Sequence, residues 1–115
     1  DLFALTELDD DGDATGRTIS LAKVKTLAIR NTSSAGSLLV GGGTNQTPDA
    51  DAWIDGGTEG WLTADASLLR IAAGDAICLT FRAGVTVTNN TSHILSLQGI
   101  GSTQTYEILV TGDAV

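Results

Sequence analysis

The last forty residues alternate apolar and polar side chains with a period of two, and few folds accept that pattern. Ile77, Leu79 and Phe81 share one parity, Cys78 and Thr80 the other. After Gly84, Val85 and Val87 alternate with Thr86 and Thr88. Leu95 and Leu97 follow Asn89-Asn90, and beyond Gly99 and Gly101 come Tyr106, Ile108 and Val110 against Thr105 and Glu107. Successive side chains of a strand point to opposite faces, so this half predicts half-buried β-strands joined by tight turns. The outward parity is mostly Thr and Ser, which dress a sheet without carrying charge at neutral pH. This half is expected to be scaffold, with specificity lodged elsewhere.

Upstream the signal is less regular. Leu2 to Leu8 predicts a short strand, broken by Asp9-Asp10-Asp11-Gly12-Asp13. Between Thr18 and Ile29, Leu21 and Val24 have the spacing of a helix, whereas Leu27 and Ile29 alternate. We read a turn feeding a strand that ends at Arg30-Asn31, then a turn over Ser33 to Gly36. A returning strand over Ser37 to Val40 would complete a hairpin, closed by Gly41-Gly42-Gly43. Residues 44–66 hold the only proline, both tryptophans and several Gly-containing turns, and predict an irregular Trp-bearing loop. Leu68 to Ile71 resumes strand character before Gly74-Asp75. Eight to nine short strands without a long helix predict an all-β fold: one domain over 1–115, an antiparallel β-sandwich of jelly-roll type.

Composition narrows the class further. A chain of 115 residues suits one domain and can bury most of its apolar surface unaided. Aromatics make up 4% and methionine is absent, so an aliphatic core in thin sheet-on-sheet packing is expected. The net charge of −8 argues against a nucleic-acid partner, which needs clustered Lys and Arg. Cys78 is the sole cysteine and is expected to be a buried structural thiol; a chain without bridges fits a reducing cytoplasm. No apolar run approaches the ~20 residues of a membrane span, and no secretory leader is read at the start, so no membrane partner is expected.

Each suggestive cluster has a plainer reading. Asp9, Asp11 and Asp13 beside Gly12 are candidate ligands for a hard cation such as Ca²⁺. Counted from Asp9, however, the sixth position of a calcium loop is Ala14 in place of Gly, and the twelfth is Ser20 in place of Glu. A solvated hairpin turn is the expectation there, a cation the alternative. His93, the only histidine, has no second His or Cys to share a metal and no serine in a nucleophile-elbow setting, so a strand-end residue at the sheet rim is expected. Gly41-Gly42-Gly43-Thr44 lacks the lysine and helix of a phosphate loop. Asn31, Asn45, Asn89 and Asn90 begin Asn-X-Ser/Thr triplets and read as turn asparagines. Trp53 and Trp61, with Asp49, Asp51, Asp55 and Glu59 nearby, form the one aromatic-polar constellation. It suits packing or a subunit contact, with a glycan site as the alternative. An enzyme would need a cleft of perturbed titratable groups, so no enzymatic role and no cofactor are expected.

Two stretches carry a resemblance. Lys23 to Ser33 followed by Leu39-Val40-Gly41-Gly42, together with Leu95-Ser96-Leu97 and Thr105 to Gly112, resemble small all-β structural proteins of tailed bacteriophages, of capsid-decoration or tail-fibre type. The resemblance covers about half of the chain. It implies a non-enzymatic virion protein, assembled in the host cytoplasm, that joins a capsid or other virion protein as a homo-oligomer, often a trimer. It carries over no catalytic residue. The Trp-bearing loop has no counterpart in that pattern; Trp53, Ile54 and Trp61 are the expected interface or ligand residues. A carbohydrate-binding module or lectin using the same loop is the alternative function.

Overall fold

The structure is a computed structural model that describes residues 2–41, 43–44, 47–48, 68–89 and 93–115. Among them the fold is all-β, in antiparallel sheets and without a helix. Eight strands have four residues or more: β1 (Leu5–Leu8), β2 (Ala14–Ile19), β3 (Leu21–Asn31), β4 (Ser37–Gly41), β7 (Leu68–Ala72), β8 (Ala76–Thr86), β9 (Ser96–Ile100) and β10 (Tyr106–Ala114). Two further strands, β5 (Gly43–Thr44) and β6 (Thr47–Pro48), pair only with each other. The Trp-bearing segment with Trp53, Ile54 and Trp61 lies outside the described residues, as do Asn45 and Asn90.

Two three-stranded sheets carry the core. One is ordered β10-β3-β8, the other β7-β4-β9. In the first, Val110 and Leu79 flank Leu27, while Ile108 and Ile77 flank Ile29. Leu27, Ile29, Val24 and Val85 from this sheet meet Leu38, Val40 and Ile71 from the second in one apolar cluster. Full burial of a side chain such as Leu27 stabilises by about 1.5–3 kcal/mol, and Leu27 is 0% exposed. The predicted parity therefore holds: Ile77, Leu79, Leu97 and Val110 all pack on that cluster.

Helix-like spacing in β3 has a different cause. A strand that turns Leu21, Val24 and Leu27 all inward breaks strict alternation, and bulges supply the missing phase. Against β10 the register shifts between Thr111 and Gly112 and again between Asp113 and Ala114. Against β8, Thr26 pairs with Thr80 and Val24 with Val85, leaving Phe81 to Gly84 opposite Lys25 alone. Gly84, at φ +80°, is thus a bulge residue inside one eleven-residue strand and not a turn between two short ones.

The expected hairpin between β3 and β4 does not form. Residues 32–36 instead carry the chain from the first sheet to the second. The segment 73–75 carries it back from β7 to β8, and 101–105 carries it from β9 to β10. These three crossings are hydrogen-bonded at one end of the molecule: Ala73 N–H donates to Gly36 O at 3.1 Å, Gly74 N–H to Asn31 O at 3.0 Å, and Thr32 N–H to Thr105 O at 3.0 Å. A sequence cannot distinguish a hairpin turn from a short inter-sheet corner here, because both need the same Ser/Gly composition.

β1 and β2 form a separate hairpin that pairs with neither larger sheet, and every residue of β2 is exposed. At the base of this arm Leu2 is buried; its N–H donates to His93 O at 2.7 Å and its carbonyl accepts from Leu21 N–H at 3.2 Å.

Candidate functional site

Three places on the described surface could carry function, and the chemistry of each follows from the strands beneath it. The tip of the β1–β2 arm holds Asp9 to Asp13. One carboxylate oxygen of Asp9 accepts the N–H groups of Asp11 at 3.0 Å and Asp13 at 2.9 Å. The backbone closes the same loop, Gly12 N–H donating to Asp9 O at 3.0 Å and Asp9 N–H to Asp13 O at 2.9 Å. This is a hairpin turn built by its first aspartate. Among the described residues no three His, Cys, Asp or Glu side chains gather where they could hold a metal ion. Asp9→Ala is expected to leave Tm within about 2 °C while exchange of the Asp11 and Asp13 amides quickens on the order of tenfold, read by NMR hydrogen exchange.

At the crossing end, Asn31 is 0% exposed. Its Nδ2 donates to Ile71 O at 3.0 Å and to Gln104 Oε1 at 2.9 Å, and its Oδ1 accepts from Ser33 N–H at 3.0 Å. Gln104 Nε2 donates in turn to Ala35 O at 2.8 Å and Ser102 O at 3.1 Å. A hollow of about 340 Å³ nearby is lined by Thr32, Ser33, Ala35, Ser102 and Thr105 among others. Its hydroxyls are engaged with one another: Ser33 Oγ accepts from Thr105 N–H at 2.7 Å, and Thr32 Oγ1 donates to Thr105 Oγ1 at 2.9 Å. The arrangement is a clasp between crossings. Asn31 does sit at a turn, through its bond to Ser33, but its amide is sealed inside the protein.

The third place is the outer face of the β10-β3-β8 sheet. One cross-strand row reads Leu109, Ala28, Cys78, and the next Glu107, Arg30, Ala76. They surround an open depression of about 470 Å³ with Ala28 at its floor. Leu109 is 58% exposed, and Arg30, Glu107 and Cys78 are exposed. Exposure of Cys78 corrects the expectation of a buried thiol. Its neighbours Ile77 and Leu79 turn to the core, so the pleat forces Cys78 outward whatever the usual habit of cysteine. On the inner face Tyr106 and Ile108 stay 46% and 42% exposed, because β10 is an edge strand.

His93 is 8% exposed and lies just before β9, where its carbonyl holds the Leu2 amide. Gly41 closes β4 and Gly43-Thr44 belong to β5. Comparison of the chain with protein-family models, with curated proteins and with solved structures finds no match. Sequence reasoning passed over the Glu107–Arg30 row, whose two charges lie in segments far apart along the chain. Only the pairing of β3 with β10 brings them side by side.

Proposed function

We propose that this protein is a structural virion subunit of a tailed bacteriophage, of the capsid-decoration or cementing kind, working by surface burial in a homo-oligomer rather than by catalysis. In this reading the two three-stranded sheets stack as a jelly-roll-like β-sandwich, a scaffold for contacts with a capsid and with sister subunits. The observation that carries it is the amount of extended strand surface turned to solvent. β2 is exposed along its whole length, and β10 presents Tyr106, Ile108 and Leu109 at a sheet edge. Unpaired strand edges and exposed apolar side chains are what an assembly subunit covers when it meets its partner. The resemblance of the Lys23–Ser33 and Thr105–Gly112 stretches to small phage structural proteins supports the same reading, and Trp53, Ile54 and Trp61 are the proposed capsid-contact residues.

The test is co-sedimentation with capsids assembled from a major capsid protein encoded in the same gene neighbourhood. Saturable binding to intact capsids is expected, weakened at least about tenfold by Trp53→Ala or Trp61→Ala, as for aromatic anchors at interfaces. No binding to capsids, joined by glycan-array binding that either substitution abolishes, would replace this reading with the carbohydrate-binding one.

A further inference from the structure

The outer face of β10-β3-β8 is complementary to itself, and the geometry points to a two-fold contact there between two copies of this chain. The row Leu109, Ala28, Cys78 sets a large exposed side chain beside a small one. The row below sets an acid, Glu107, beside a base, Arg30, and neither makes an ion pair among the described residues. A two-fold axis running along the strands, midway between β3 and β10, places β10 of each copy over β3 of the other. Leu109 of one copy then enters the depression floored by Ala28 of its partner, and Glu107 of each faces Arg30 of the other. Each residue type meets its complement twice, as an isologous interface requires. Thr26 and Thr111, paired on the same face, continue the contact with uncharged side chains.

Charge decides the occupant. The chain as a whole carries −8, which disfavours casual self-association, yet this patch holds one acid and one base and is locally neutral. A strongly basic or acidic partner would leave one of the two facing a like charge; a second copy satisfies both. The size of the face sets the strength. The two strands that overlap, about 4.8 Å apart and each of roughly nine residues, cover on the order of 300 Å² in projection, well below the roughly 800 Å² per partner of a standard interface. The contact is therefore reversible and concentration-dependent, and two-fold, unlike the trimer that the phage resemblance implies. It forms in solution without a capsid, so it stands or falls separately from the virion assignment.

Sedimentation velocity across a concentration series, in about 0.15 M salt to screen the net charge, tests the contact. The wild-type chain is expected to pass from monomer to dimer. Arg30→Glu and Glu107→Arg each place like charges across the axis twice, and each alone weakens dimerisation at least about tenfold. Mixing the two variants restores it, because Glu107 of the first then faces Arg30 of the second, and Glu introduced at 30 faces Arg introduced at 107. No effect on folding or within one chain can produce that rescue by mixing. Leu109→Asp, at an exposed position where folding is not at stake, abolishes the dimer. The proposal is overturned if the wild-type chain stays monomeric up to several hundred micromolar, if either charge reversal leaves its dimer intact, or if the mixed variants remain monomers.

Discussion

Asn31→Ala lowers the melting temperature by about 10–20 °C, the largest loss expected from any single polar substitution among the described residues. Asn31 is wholly enclosed, and its amide makes three hydrogen bonds that tie β3 to Ile71, to Gln104 and to Ser33. Alanine leaves a carbonyl, an amide oxygen and a backbone N–H without that partner, the first buried and the other two part-buried. Buried polar groups stranded in this way cost about 1–3 kcal/mol each, so roughly 3–5 kcal/mol in total is expected after partial relaxation. Asn31→Asp keeps the acceptor for Ser33 but turns a carboxylate oxygen toward two carbonyl-type oxygens, and is expected to be at least as damaging. Circular-dichroism melts of the three proteins provide the check. A shift below about 4 °C for Asn31→Ala would mean that the three crossings hold together without their clasp.

The second large effect belongs to Gly36, in the crossing from β3 to β4. Its φ is +82°, and a Cβ added there would stand 2.5 Å from Gln104 Nε2, 2.6 Å from Ile100 O and 2.9 Å from Ser102 Oγ. The Gln104 terminus can swing away, but the Ile100 carbonyl is β9 backbone and cannot move without opening the sheet. Gly36→Ala therefore combines left-handed backbone strain with overlap, and a loss of about 2–4 kcal/mol is expected. The two substitutions share Gln104 as neighbour. In a double-mutant cycle by denaturant unfolding, the doubly substituted protein should lose less stability than the separate losses added together, by about 1 kcal/mol. Strict additivity would show that Gly36 and Asn31 act on independent parts of the fold.

How much of this was legible beforehand depends on the range of the signal. Period-two alternation is local, and it correctly sent Ile77, Leu79 and Val110 inward and marked the chain as all-β. The same alternation puts Cys78 outward, against the general tendency of cysteine to be buried, and the exposed thiol follows the alternation. Strand partners are not local. Nothing in Arg30 or Glu107 says that they will be neighbours, and nothing in Ser33 to Gly36 distinguishes a hairpin from a passage between sheets. The clasp was illegible for the same reason: Asn31, Ile71 and Gln104 lie in three separate segments, and their convergence is a product of topology. One trace of that topology was present in plain view. The odd spacing from Leu21 to Val24, which looked helical, is the mark of the register shift between Asp113 and Ala114, which leaves Ala22 without a partner in β10.

The placement of β3 governs how the molecule must be made. β3 is the central strand of its sheet, yet it precedes both of its partners, and its bonds to β10 reach from Leu21 to Ala114, far along the chain. While the chain emerges from the ribosome, a strand rich in Val, Leu and Ile waits with both edges unpaired until β8 and then β10 arrive. Ordering so long a span before any contact repays it makes folding slow. The interval in which β3 stands open, rather than the finished fold, is where aggregation would compete with productive folding.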